Sequence, residues 1–348
     1  MKKTVKNALA ALIALSAIAA LPAWAAEGRT PIWEPTVISN PGKYIVTQNI
    51  SSAGGPVIDI LVSDVDIDLN GMRLETGALD PIIQGQGENI TIRNGALFGG
   101  TAGIRLNGVQ NVTVEDVKSV SSNGAGIELI DATGYAIRRN QIIKCSTIGI
   151  FVASIPGTEA SGILQDNHVI ECQEGINLDD ASSTILKYNR VENAFGSFGI
   201  RIANSFGIIL DRNTVQDAAA QGIWVEGSFA CKLYNNTVLR TRGPGIDVVG
   251  TFDSLFLDNV VSQTENDGMV IAGERNHIEG NVLNSNGAGG VQGYGLLLLG
   301  PGNVFRRNTA RNNFGPAAAC PGFPATPDVC DVPAASDSFG DNYMPFLL

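Results

Sequence analysis

An asparagine returns about every 23 residues through most of this chain, and apolar residues keep fixed offsets from it. The positions are Asn140, Asn167, Asn189, Asn213, Asn236, Asn259, Asn281 and Asn308, with spacings of 27, 22, 24, 23, 23, 22 and 27. Three residues before them stand Ile137, Leu164, Leu186, Leu210, Leu233, Phe256, Ile278 and Phe305. Two residues after stand Ile142, Val169, Val191, Val215, Val238, Val261, Leu283 and Ala310. A period of this length specifies a solenoid, because one unit cannot bury its apolar face alone and must stack on its neighbours.

A second landmark runs in parallel: Gly followed by an apolar residue at 103, 126, 149, 175, 199, 222, 245, 268 and 295. The residues that follow alternate inward and outward, as in Gly-Ile-Trp-Val-Glu at 222–226. Period two over four or five residues signals a strand. Each repeat therefore carries one strand before the Asn, a short one after it and a third after the Gly. Helical periodicity is absent after the first 25 residues, and the Leu-x-x-Leu-x-Leu frame of leucine-rich repeats is missing.

This pattern resembles the right-handed parallel β-helix proteins of the pectin-lyase-like superfamily. The resemblance rests on the Asn ladder, the Gly-Ile strands and the segment Asp-Ile-Asp-Leu-Asn-Gly-Met-Arg-Leu at 66–74, and covers residues 60–313. It implies an all-β, single-stranded right-handed parallel β-helix with terminal caps, in which the ladder Asn occupies a tight turn. Asn tolerates positive φ, and stacked amides can hydrogen-bond along the axis, so the ladder is structural. Asn70 and Asn94 are earlier rungs, with a one-residue shift to Gly95, and Asp116-Val117 fills the next. The count is roughly eleven coils and a rod of about 50 Å at one strand spacing per coil.

Residues 1–25 read as a secretory signal peptide: Lys2, Lys3 and Lys6, an apolar run from Ala8 to Ala20, then Ala23-Trp24-Ala25 as a cleavage site. The run is too short for a membrane span. The expectation is an exported protein, periplasmic or secreted. Loss of the three lysines takes the net charge from −11 to −14. That argues against nucleic acid as a partner, which needs a basic footprint, and disfavours strongly anionic polymers unless a cation bridges them. Residues 26–60 are expected to cap the first coil, 61–313 to form the β-helix, and 314–348 to close the last.

In an oxidising compartment, Cys320 and Cys330 are expected to pair. Cys145, Cys172 and Cys231 read as buried small hydrophobes. A 145–172 disulfide is the alternative, although stacked parallel strands rarely offer the needed Cβ geometry.

The resemblance places an active site on the outward face of the Gly-Ile strands. Two outward columns follow. One reads Arg105, Glu128, Phe151, Asn177, Arg201, Trp224, Asp247, Val270, Leu297; the other Asn107, Ile130, Ala153, Asp179, Ala203, Glu226, Val249, Ala272, Leu299. Polar groups concentrate in Asn177, Asp179, Asp180, Arg201, Trp224, Glu226 and Asp247. Asp179 and Glu226 lie two rungs apart, about 9.6 Å at the backbone. That suits the acid/base pair of an inverting glycoside hydrolase. Arg201 would hold a substrate carboxylate or act at a developing enolate in a lyase, and Trp224 would stack on a sugar. Asn177, Asp180 and Asp247 would complete the binding surface, and Asp179, Asp180 and Glu226 could hold Ca²⁺ through oxygen.

The same Asp–Arg–Glu arrangement is also how a solvated sheet balances its charge. Gly-His-Gly and Arg-Ile-Lys, expected of a polygalacturonase, and the Asp-Pro-His-Asp of an alginate epimerase are absent. Periplasmic copper-handling relatives share such repeats, but His168, His277 and four Met form no copper cluster in sequence. The expectation is a carbohydrate-directed protein, a polysaccharide hydrolase or lyase, with a non-catalytic glycan-binding or structural rod as the alternative.

Overall fold

The computed structural model describes residues 28–77, 79–155, 161–288 and 293–314, with further strands at Val329–Asp331 and Ser336–Gly340. Every regular element among them is a strand, and every pairing between coils is parallel, with register shifts at Leu106/Val109, Val249/Phe252 and Asn303/Val304. The chain winds as a right-handed parallel β-helix of about 12 turns.

One coil shows how the sequence makes a turn. Ile223–Glu226 carries the Gly-strand, Lys232–Tyr234 precedes the ladder and Thr237–Leu239 follows it. Each pairs with its equivalent one coil on, at Ile246–Phe252, Leu255–Leu257 and Val260–Ser262. Three parallel sheets result, with Ile223, Val225, Leu233 and Val238 all buried inside. The β-branched and Leu side chains pack in axial files, and this inward alternation fixes the register.

Stacking begins earlier than the sequence implies. Residues 26–60 were expected as a cap, yet Thr36–Ile38 pairs with Ile58–Ile60, which pairs with Ile83–Glu88. At the other end Val329–Asp331 and Ser336–Gly340 add to the preceding coil, inside the stretch expected to be cap. The expected signal peptide and the Cys320–Cys330 disulfide lie outside the described residues. Cys145, Cys172 and Cys231 are buried free thiols, and the Cys145 N–H points to the Cys172 sulfur at 3.3 Å.

The ladder is structural, with one correction to its chemistry. Asn70 and Asn94 take positive φ, but from Asn140 to Asn308 the ladder asparagines do not; the residue before each does, as at Arg139, Asp166, Tyr188, Arg212 and Asn235. The asparagines are instead buried and hydrogen-bonded along the axis. Asn213 Nδ2 donates to Leu186 O (2.9 Å) and to Asn236 Oδ1 (3.0 Å), and its own Oδ1 receives the N–H and Nδ2 of Asn189. The side chain thus satisfies backbone groups that the turn leaves unpaired. The shift to Gly95 is present: Gly95 pairs with Val117, whose N–H donates to Asn140 Oδ1.

Candidate functional site on the Gly-strand sheet

Both outward columns exist as read. Asn177, Arg201, Trp224 and Asp247 are consecutive Cα partners, as are Asp179, Ala203, Glu226 and Val249. Their side chains share one face because alternate residues of a strand point the same way and successive coils repeat the phase.

The structure gathers four expected residues around one guanidinium. Arg201 forms an ion pair with Glu226, with Nε to Oε1 at 2.8 Å. Its Nη1 donates to Asn177 Oδ1 at 3.4 Å, and its Cζ lies 5.2 Å from the centroid of the Trp224 ring. Phe198 packs against the same indole, with ring centroids 6.3 Å apart. The Trp224 Nε1 is buried with no acceptor among the described residues.

Asp179 and Asp180 belong to a different neighbourhood. Asp179 accepts from Asn204 Nδ2 at 3.0 Å on the exposed edge of the sheet. Asp180 follows it in the left-handed turn, where burial and the Asp179 charge raise its pKa. Asp179 and Glu226 thus hold separate partners.

Asp247 is the carboxyl that departs furthest from solvent among the expected residues. Burial raises its pKa, with the Glu226 charge adding to the effect and a hydrogen bond from Gln221 Nε2 (3.4 Å) opposing it. Beside it lies Asp267, only 8% exposed, whose pKa burial pushes up to about 6. The Tyr294 N–H donates to Asp267 Oδ1 at 2.7 Å and lowers that value, while the Asp247 charge raises it. Glu174, on the same margin, is also raised by burial, against the pull of the Arg201 charge and a hydrogen bond to Ser197.

Asp267, Gln221 and Glu174 were not singled out in the sequence. Each immediately precedes a Gly of the Gly-apolar landmark, a position that reads as turn, yet that column borders the outward face. A recurring Ser/Thr-Phe dipeptide was also missed: Phe206, Phe229 and Phe252 bridge successive coils beside the second column, with the first two rings 4.5 Å apart.

Two further hollows lie round the corner, where the chain turns from the post-ladder strand toward the next Gly-strand. One, of about 490 Å³, is lined by Asn193, Phe195, Asp217, Ala219, Arg240, Arg242 and Glu265. The other, of about 460 Å³, meets it at Asn193 and Phe195. A third, of about 260 Å³, opens on the outward face nearer the N-terminus, beside Arg105 and Asn107.

Residues 157–314 match the family model described as right handed beta helix region, and residues 75–207 match that of periplasmic copper-binding protein (NosD). By sequence, no curated protein matches this chain. Among solved structures it is similar to the A-module of Azotobacter vinelandii mannuronan C-5 epimerase AlgE4. The TM-score is 0.57 at 15% identity, over 88% of this chain and 91% of that one. It is similar also to a double mutant of the periplasmic alginate epimerase AlgG, with TM-score 0.54 at 16% identity, over 78% and 79%. At such identities the likeness concerns the fold.

The residues present do not fit a copper centre or a Ca²⁺ site. His168 faces Glu192 (3.1 Å) and His277 faces Glu279 (2.8 Å), each on its own coil edge. Glu226 is turned to Arg201, away from Asp179 and Asp180, and no group of three His, Cys, Asp or Glu among the described residues could hold a metal ion. Repeat, ladder and register agree with the family match over residues 157–314, and the chain is a right-handed parallel β-helix repeat protein.

Proposed function

We propose that this is an exported, carbohydrate-directed protein that binds a polysaccharide across the Gly-strand sheet between Asn177 and Asp247 and cleaves it, as a hydrolase or a lyase. The observation that carries the reading is the Arg201–Glu226 ion pair set against the Trp224 indole, with the half-buried Asp247 one coil on. Structural relatives named as alginate epimerases support the polysaccharide class, and the periplasmic designation of AlgG and of the NosD family supports export.

Each group has a task suited to its surroundings. The Trp224 face takes the apolar side of a sugar ring. Arg201 and Asn177 fix the ring's polar edge. Glu226 and Asp247 lie on adjacent coils, diagonal to one another, about 7–8 Å apart at the backbone. That pair fits two-carboxyl glycoside chemistry better than Asp179 with Glu226. Asp247, whose pKa burial raises, serves as the acid that protonates the leaving oxygen. Glu226, held in the ion pair, activates water in a hydrolase, or removes a proton in a lyase while Arg201 faces the enolate.

The test is reducing-end release, together with ultraviolet absorbance of unsaturated product, from neutral and acidic polysaccharides. The parent should release product, and Glu226→Gln and Asp247→Asn should each lower the rate at least 100-fold. Release that survives both variants would remove the site and keep the enzyme. Binding without release from every polymer would establish the non-catalytic alternative.

A further inference from the structure

We infer that the corner hollow between Phe195 and Arg242 is a second glycan site, one that takes a single uronate residue. The inference rests on the carbohydrate-directed part of the preceding reading and not on its catalytic residues.

The hollow arises from a size pattern along one file of the solenoid. Phe195, Ala219, Arg242 and Glu265 occupy the same corner position in four successive coils. Ala219 N–H donates to Ala194 O (2.8 Å), Arg242 N–H to Ala218 O (3.0 Å) and Glu265 N–H to Thr241 O (2.7 Å). A methyl group between a phenyl ring and a guanidinium leaves a gap floored by Ala219. Phe195 and Arg242 stand two coils apart, about 9.6 Å at the backbone, which is room for one six-membered ring. The volume of about 490 Å³ falls within the range of small-ligand sites.

The chemistry of the walls is specific. Phe195 is 59% exposed, an apolar face with no protein side chain covering it, suited to the C–H face of a pyranose. Arg240 is already committed: its Nε and Nη2 donate to the two carboxylate oxygens of Asp217 at 2.7 and 2.8 Å. That pairing holds the Asp217 pKa below the usual carboxylate range. It also closes the side wall with a neutral pair. Arg242, exposed one coil from Ala219, takes part in no ion pair among the described residues. A guanidinium left free beside an aromatic ring fits a planar carboxylate in two parallel hydrogen bonds. Asn193 and Glu265, at the two ends, can bond ring hydroxyls.

The chain's net charge disfavours a polyanion at long range, but a single free guanidinium acts at contact. It recognises one carboxylate without requiring a basic groove. The hollow is thus an anchor for an acidic residue of a mixed polymer, placed round the corner from the Gly-strand face.

The experiment is calorimetric titration of the mature protein with trigalacturonate and with the neutral trisaccharide of glucose. The variants are Arg242→Gln, Arg242→Lys and Phe195→Ala, with Arg139→Gln as an exposed arginine outside both sites, and folding is checked by thermal melting. Trigalacturonate should bind and the neutral sugar should bind at least 10-fold more weakly. Arg242→Gln and Phe195→Ala should each cost at least 10-fold for the acidic sugar, Arg242→Lys should restore part of it, and Arg139→Gln should keep it. Equal affinity for both sugars, or trigalacturonate binding indifferent to Arg242→Gln, would overturn the inference and leave the Gly-strand reading intact. A loss in Arg139→Gln equal to that in Arg242→Gln would also overturn it.

Discussion

Arg201 reaches one coil forward to pair with Glu226, so two residues of separate outward columns form one unit in the fold. The guanidinium lies over the Trp224 ring, and Asp179 is left to Asn204. Which carboxyl can work with which is therefore decided by the lean of side chains between coils.

The coupling between these two residues is open to measurement. Both side chains are partly exposed, so the pair should contribute about 1 kcal/mol, above an ordinary surface pair and well below a buried one. A thermal double-mutant cycle with Arg201→Ala and Glu226→Ala should return a coupling energy of that order. A coupling near zero would mean that the pair is not held in solution.

The ladder predicts a sharp contrast. Asn213→Ala removes the acceptor for the Asn189 N–H and the donor to Leu186 O, inside a dry turn. The expected loss is about 3 kcal/mol, read as a lowered urea midpoint. Lys232→Ala, at an exposed strand position, should change stability by about 0.5 kcal/mol or less.

Much of this fold is legible in the sequence, because period and offset carry it. Inward Ile, Val and Leu fix the three strands and their phase, and from the phase both outward columns follow. The left-handed turn residue was not legible: Arg139, Asp166, Tyr188 and Arg212 share no type, since each side chain lies on the exposed edge of its coil, where no single chemistry is selected. The visible Asn is one position later, where burial selects a single chemistry. The site was legible as a column but not as a set of contacts. Asp267 was hidden for a different reason, since its burial comes from Tyr294 and the following coil, brought near only by stacking. The hollow beside Phe195 depends on a small residue, and Ala219 carries no signal until its neighbours along the axis are known.

A second packing relation concerns Tyr135. Its hydroxyl meets Thr184 Oγ1 at 2.7 Å, two coils away, and Gly162 on the intervening coil lies against the ring. Tyr135→Phe loses one hydrogen bond and should cost about 1 kcal/mol. Gly162→Ala drives a methyl group into a ring enclosed by the core and should cost more, about 1–3 kcal/mol. Thermal melts that rank the two the other way would contradict this packing.

Asp267 makes stability depend on pH. Its folded pKa of about 6 lies above that of an unfolded aspartate, so the folded state holds the proton more tightly. Stability contributed by the protonated group is full below pH about 4, falls as pH rises toward 6, and is lost above that. Asp267→Asn should remove this slope and raise the melting temperature at pH 7 relative to the parent. An unchanged slope between pH 4 and 6 would assign the effect elsewhere.

Polysaccharide binding on the Gly-strand sheet at Arg201, Trp224 and Glu226 is tested by affinity electrophoresis of the protein and of Trp224→Ala through gels carrying neutral and acidic polysaccharides. At least one polymer should retard the parent, and Trp224→Ala should cut its affinity at least 10-fold with melting temperature preserved. Retardation that is the same in both proteins would contradict binding there.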